Sequence, residues 1–164
     1  MATPEMTDPD QGYRLSSAGQ RILDHVINVA QLKLYDLPER RFVTTGPAVF
    51  DCPQVSVSLL RIEAGMGVNP GGELVQGGPN CDFGWSIISD VAIVRKGPVP
   101  NNKGIISPAR LTAGTEQSSQ DAFILMEAIE NLAEEQFGGF TASMVPAEVE
   151  GGLVAVLANI RMVM

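Results

Sequence analysis

The sequence lacks several features that would place it in a common functional class. It holds a single histidine, His25, so no second histidine is present to complete a zinc site. Its apolar runs stay well short of the ~20 residues that a membrane-spanning helix requires. Lys and Arg number 11 against 19 Asp and Glu, and the resulting net charge of −8 argues against nonspecific nucleic-acid binding. Residues 1–14 lack the basic and apolar regions of a signal peptide, so we expect a flexible arm over residues 1–15.

Cysteine is also scarce, since Cys52 and Cys81 are the only two. The pattern around them predicts a hairpin in which each cysteine opens one strand, so that they lie at opposite ends. About twelve residues at ~3.3 Å each would separate them, well beyond disulfide reach. We therefore expect two reduced, chemically idle thiols in a protein made in a reducing cytoplasm.

The remaining sequence predicts one α+β domain over residues 16–164, with elements in the order α-β-β-α-β-β. A chain of 164 residues with 45% hydrophobic side chains suits a single buried core. Helical spacing predicts a first helix over residues 17–34, ended by Pro38, with the core positions Leu23, Val26, Ile27, Ala30 and Leu34.

Two strands are predicted next, over residues 54–62 and 83–95. In the first, Val55, Val57 and Leu59 alternate with serines. The second is apolar on one face and half-apolar on the other. This pattern predicts helices on one side and a partly dry cover on the other, for which another subunit is one candidate.

The second predicted helix is capped by Thr115 or Ser118, and Ser118 with Asp121 has the spacing of a capping box. Its predicted core stripe comprises Ala122, Leu125, Met126, Ile129, Leu132, Ala133 and Phe137. Its carboxylates, including Glu134 and Glu135, are interpreted as a solvated acidic face and not as an acid–base or metal site.

A final hairpin is predicted over residues 140–149 and 153–163, turning at residues 151–152. Pro146 marks its first strand as an edge or a bulge. The last strand is apolar on both faces, which predicts either a central position or completion by a neighbouring chain.

Between the two central strands lies the glycine-rich segment MGVNPGGELVQGGPN, residues 66–80. It carries no phosphate-binding glycine motif, and we expect a projecting contact loop. The candidate contact residues are Glu73, within this segment, and Arg61 and Glu63, near the hairpin end just before it. Arg40 and Arg41 have two interpretations, a solvated face or an anchor to an acidic neighbouring subunit.

Several of these features together resemble tail terminator proteins of long, non-contractile-tailed bacteriophages, particularly those of actinobacteria. The features are LPERRFVTTGPAVFDCPQVSVSL, the glycine-rich interval, a cysteine opening the second strand, and an acidic helix before a final GG hairpin. The resemblance covers residues 17–164. Its best-matching piece is G-P-x-x-x-D-C-x-Q-x-x-V, residues 46–57, which is not a catalytic motif.

The resemblance implies a virion structural protein that forms a homo-oligomeric ring, normally a hexamer, at the head-proximal end of the tail. It implies tail tube protein on one face, a neck or stopper protein on the other, and DNA passing through the lumen as cargo. A negatively charged pore suits this passage because carboxylates repel phosphates. Assembly would take place in the host cytoplasm, with no enzyme activity, no cofactor and no membrane.

Two alternatives stay open. One is a neighbouring head–tail connector or stopper protein. The other is a small cytoplasmic enzyme or ligand-binding domain, with Cys52 next to Asp51 as nucleophile and Arg40 or Arg41 as the cation that a reactive thiolate needs.

Overall fold

The computed structural model describes residues 10–65, 84–135, 140–149 and 152–163. Within them, two helices pack against one five-stranded sheet, which confirms the predicted single α+β domain. The elements are α1 (Asp10–Leu32), β1 (Arg41–Thr45), β2 (Gln54–Gly65), β3 (Gly84–Lys96), α2 (Pro108–Glu134), β4 (Phe140–Val149) and β5 (Leu153–Val163). The strand order is β1-β2-β3-β5-β4, antiparallel except that β1 is parallel to β2.

Strand β1 is an addition to the predicted order. Its sequence, RFVTT, is only five residues long and its side chains are mostly half-buried, so it shows no alternation by which a strand could be recognised. It aligns from Arg41 beside Val55 to Thr45 beside Leu59. This placement gives β2 a neighbour on each side.

Helix α1 begins at Asp10, inside the range predicted as a flexible arm, and ends two residues before the predicted end. Its end is closed by two hydrogen bonds, from the Tyr35 N–H to the Ala30 carbonyl (2.8 Å) and from the Leu34 N–H to the Gln31 carbonyl (3.1 Å). This is a Schellman motif. Leu34 occupies its left-handed position with φ 55° and is 95% exposed, so its predicted place in the core is wrong.

Helix α2 begins at Pro108, earlier than the predicted caps Thr115 and Ser118. Ser107 is the N-cap, and its side chain accepts a hydrogen bond from the backbone N–H of Arg110. A serine cap followed by proline at the first helical position is a strong start signal. The predicted start was wrong because the Ser107-Pro108 pair, which begins eight residues before the predicted cap Thr115, was not used as a start signal.

The main core lies between the two helices and one face of the sheet. Predicted positions such as Leu23, Val26, Leu125 and Leu132 are buried there, whereas Met126 is 49% exposed and was wrongly predicted. Residues that the prediction missed complete the core: Ile22, Val29, Ile124 and Ala128. A cavity of about 10 Å³ between the helices and the sheet is about the size of a single water molecule at most.

The other side of the sheet is called the open face here, because no helix among the described residues covers it. The connection between β1 and β2 crosses this side, and Phe50 packs over Ala92, Val94, Leu153 and Ala155. Part of the dry cover expected from another subunit is therefore supplied by the chain itself.

The final hairpin forms as predicted. Strand β4 is an edge strand containing Pro146, and β5 is central, between β3 and β4. The apolar character of β5 on both faces is thus explained within one chain.

Candidate functional site

Two of the predicted contact residues meet on the open face. Arg61 Nε lies 2.8 Å from Glu63 Oε1, and Arg161 of β5 reaches the other carboxylate oxygen at 3.2 Å. Arg161 also contacts the Ser86 hydroxyl at 3.5 Å. Arg161 was not predicted, because it is 98 residues away from Glu63 in the sequence and only the sheet order brings β5 near β2.

A β-bulge in β2 places this cluster on the open face. The pairing with β3 shifts between Leu59 and Arg61, and Leu60 has no partner in the register. Strict alternation would put Arg61 on the same face as Val55 and Val57. The extra residue reverses the faces, since a one-residue slip turns every later side chain over. Asn159 and Asp90 add a hydrogen bond of 2.8 Å across the same face.

Arg40 and Arg41, the other predicted contact residues, both have partners within the chain. Arg40 Nη1 lies 2.7 Å from Asp51 Oδ1 and 2.9 Å from Cys52 Sγ. Arg41 donates to the carbonyls of Pro38 (2.9 Å) and Leu37 (3.5 Å). Both arginines therefore stabilise the chain around the start of β1.

The best-matching motif segment, residues 46–57, builds the connection between β1 and β2. Gly46 has φ 82°, where glycine is favoured, and its N–H donates to the Leu59 carbonyl at 2.9 Å. Gln54 is fully buried and donates to the Val49 carbonyl at 2.9 Å. Val57 lies in the core. Gly46 and Gln54 thus hold the connection in place, and Val57 packs β2 into the main core.

Cys52 is a free, half-buried thiol at the start of β2. Its hydrogen bond is the main reason that the pKa of Asp51 is below its usual range. Among the described residues, no cluster of histidine, cysteine or carboxylate side chains could bind a metal ion. Cys81 and Glu73 lie outside the described residues, as does the predicted contact loop, residues 66–80.

The predicted acidic face of α2 requires one correction, at Asp121. Its side chain is 3% exposed and lies 2.8 Å from Arg95 Nε of β3. The Tyr35 hydroxyl donates to the same carboxylate at 2.9 Å. Burial of the Tyr35 ring, together with the charge of Asp121, raises the pKa of Tyr35 to about 12. Asp121 is thus a buried anchor and neither a solvated residue nor part of a capping box.

At the other end of α2, Glu135 pairs with α1. Arg21 Nη2 lies 2.6 Å from Glu135 Oε2, and His25 Nε2 lies 3.2 Å from the same oxygen. The hydrogen bond from Arg21 and the neighbouring His25 hold the pKa of Glu135 below its usual range. These contacts explain His25 as a helix-packing residue. Glu134 is exposed, as predicted.

Several large apolar side chains are exposed on the described part of the chain, and two groups of them lie beside charged residues. The first, here called the loop surface, comprises Val99, Ile105 and Leu111 at 63%, 58% and 48% exposure, with the cations Lys103 and Arg110. It is ordered: Arg110 Nη1 donates to the Val99 carbonyl at 3.1 Å.

The second, here called the helix surface, comprises Leu34 at the end of α1 with Phe123, Met126 and Glu130 of α2. Phe123 is 53% exposed, and Glu130 is exposed on the same side of the helix, seven residues later. Lys33 joins the helices here, because its ammonium lies 5.5 Å from the centre of the Phe123 ring and 3.1 Å from Glu127. Neither surface was predicted from the sequence. Phe123 could have indicated the helix surface, because it is an apolar residue at a position that the α2 pattern assigns to the polar side.

No described helix is long and apolar enough to cross a membrane. Comparison of the sequence with models of known protein families gives no match, and comparison with curated proteins gives none either.

Proposed function

We propose that the chain is a virion structural protein of the tail terminator type. In this role it forms a ring at the head-proximal end of a long phage tail, ends tube polymerisation and offers a surface to the neck. The proposal rests on the resemblance over residues 17–164. The observation that carries it further is the presence of two exposed apolar surfaces of opposite charge in different places on one chain. Head-to-tail contacts between such surfaces form a ring where the rotation between successive copies closes.

The arrangement of the motif segment supports the same proposal. The residues that carry the resemblance, Gly46, Asp51 and Gln54 among them, hold the connection between β1 and β2 in place. A structural motif fits a protein whose role is to assemble.

The ionic cluster of Arg61, Glu63 and Arg161 is the candidate axial contact in this proposal. Arg61 is the most exposed of the three, at 65% of its side chain. The cluster stands at the end of β2 from which the segment 66–80 departs. Contacts with tube or neck protein at this end would use both.

Negative-stain microscopy of the purified full-length chain tests ring formation, and the expected image is a ring with a central hole. The second arm adds the purified chain to polymerising tail tube protein and measures tube length. A terminator shortens the tubes and binds their ends. Particles that stay monomeric both alone and with tube protein would argue strongly against the proposal.

The same tube-binding assay distinguishes a tail terminator from the neighbouring connector or stopper protein. A neck or stopper protein forms rings that do not bind tube ends unless a terminator is already there. Rings without tube binding would therefore favour the connector alternative.

One contact favours the enzyme alternative, namely the 2.9 Å approach of Arg40 to Cys52. A nearby cation favours the thiolate. Alkylation of Cys52 by iodoacetamide tests this, compared between a Cys81→Ser variant and the same variant with Arg40→Gln. A rate that falls when the arginine is removed would support the alternative, and an unchanged rate would remove it.

A further inference from the structure

We propose that the loop surface of one copy docks on the helix surface of the next copy. This inference rests on the proposed assembly function and names the contact that closes the ring. The occupant of each surface is thus a second copy of this chain.

Chemical complementarity is the first argument. The loop surface presents three exposed aliphatic side chains with Lys103 and Arg110, and the helix surface presents exposed Phe123 and Met126 with Glu130. Apolar groups would be buried against apolar groups, and cations would meet carboxylates. Potentials of opposite sign across an interface set both partner choice and register.

Geometry excludes contact between the two surfaces within one chain. Leu111 precedes Phe123 by 12 residues on the same helix, which is about 18 Å along its axis. Both residues belong to α2, so no bending of a loop brings them together. The two surfaces therefore do not cover each other within one chain, and contact between unlike surfaces of different copies is the head-to-tail kind that forms rings or filaments.

The conformation of Leu34 is an independent argument. It is 95% exposed and holds a positive φ of 55° at a position where glycine is preferred. Leu34 stands between Lys33, which contacts α2 at Phe123, and Tyr35, which contacts Asp121. A large apolar side chain that is neither buried nor conformationally favoured in the single chain finds both a role and burial at a contact between copies.

The loop surface is held ready for such a contact. The Asn101 side chain accepts hydrogen bonds from the N–H groups of Lys103 (2.9 Å) and Ile105 (3.0 Å). Ordering a segment before it binds reduces the entropy lost on association.

Charge reversal of the full-length chain tests the contact, read by sedimentation velocity and mass photometry. Lys103→Glu and Glu130→Lys should each raise the concentration for half-assembly by at least about tenfold. An equimolar mixture of the two variants should assemble again. In the mixture, the loop surface of the Lys103→Glu variant meets the helix surface of the Glu130→Lys variant, and the native loop surface meets the native helix surface, so alternating rings of even number close.

Two matched controls accompany these variants. Asp24→Lys changes the charge of an exposed α1 position outside both surfaces, and Val145→Thr removes apolar surface from the edge strand β4. Both should assemble like the native chain, whereas Leu111→Gln, which keeps a good helix former, should not. Circular dichroism spectra establish that every variant is folded.

The outcomes separate this inference from the proposed function. Rings that survive Lys103→Glu, Glu130→Lys and Leu111→Gln unchanged would overturn the contact while leaving the terminator proposal in place. A native chain that stays monomeric at every concentration would also overturn it. Rings that depend on the contact but never bind tube ends would support it and count against the terminator function.

Discussion

Arg95 of β3 and Asp121 of α2 form a salt bridge with two close contacts, Nε to Oδ2 at 2.8 Å and Nη2 to Oδ1 at 2.9 Å. The second guanidinium nitrogen also donates to the Asp36 carbonyl at 2.7 Å. One arginine thereby ties the sheet to α2 and to the segment that follows α1. Burial opposes the charge of Arg95, but its contacts with Asp121 outweigh that effect and raise its pKa above the ordinary value.

Asp121→Asn should destabilise the chain by about 3 kcal/mol, because it leaves a partly buried guanidinium without its counter-charge. Urea unfolding followed by circular dichroism measures the change. Glu134→Gln, at an exposed position of the same helix outside both surfaces, is the control and should stay within ~0.5 kcal/mol of the native value. A loss below ~1 kcal/mol for Asp121→Asn would mean that the bridge is not a structural anchor.

Tyr35 should lose its proton at a higher pH than an ordinary tyrosine, with a pKa of about 12. Tyr13 and Tyr35 are the two tyrosines of the chain, and tyrosinate absorbance near 295 nm follows both. Tyr35→Phe should remove the late-titrating step and leave the other. A native titration in which Tyr35 ionises near pH 10 would contradict the packing around its hydroxyl.

The same shift makes stability depend on pH. The folded pKa of Tyr35 is raised above its ordinary value of 10.0, so between pH 10 and about 12 the folded chain holds a proton that the unfolded chain has lost. Its contribution is therefore complete below pH 10 and declines as the pH rises through this window. Tyr35→Phe should show a shallower loss of stability there in urea unfolding.

Gly19→Ala and Gly114→Ala should have opposite effects although both replace a helical glycine. A Cβ on Gly19 would lie 2.5 Å from Val43 Cγ1, whereas one on Gly114 meets Pro98 at 3.6 Å, an ordinary contact. Overpacking should cost Gly19→Ala roughly 1–3 kcal/mol, and better helix propensity should give Gly114→Ala up to ~1 kcal/mol. Thermal and urea unfolding measure the stability of both variants. Equal changes in stability would contradict the close packing of α1 on β1.

Leu34→Gly should stabilise the single chain by roughly 1 kcal/mol, since glycine adopts the left-handed conformation without the penalty of a side chain. At the same time it should weaken assembly by removing an exposed apolar group. Unfolding is measured at a protein concentration too low for assembly, and sedimentation at a concentration at which the native chain assembles. Stabilisation without any change in assembly would place Leu34 outside the contact.

The local pattern of the sequence determined a large part of this fold. Alternation in β2 and β3, the proline in β4 and the double glycine before β5 predicted the strands and the edge, because side-chain period and turn chemistry act over a few residues. It also identified Arg61 and Glu63 as candidate contact residues, although the predicted strand ended at residue 62, before Glu63.

Tertiary structure decided the rest, because the deciding contacts join residues that are distant in sequence. Asp121 has the pattern of a surface residue and becomes buried only because Arg95 and Tyr35 lie against it. The bulge at Leu60 reverses the face on which Arg61 and Glu63 lie, and sheet order adds Arg161 to them. Helical periodicity placed Leu34 in the core, but a Schellman turn two residues beyond α1 directs the chain outward. Pattern fixes which residues can form an element, whereas burial and partners follow from how the elements pack.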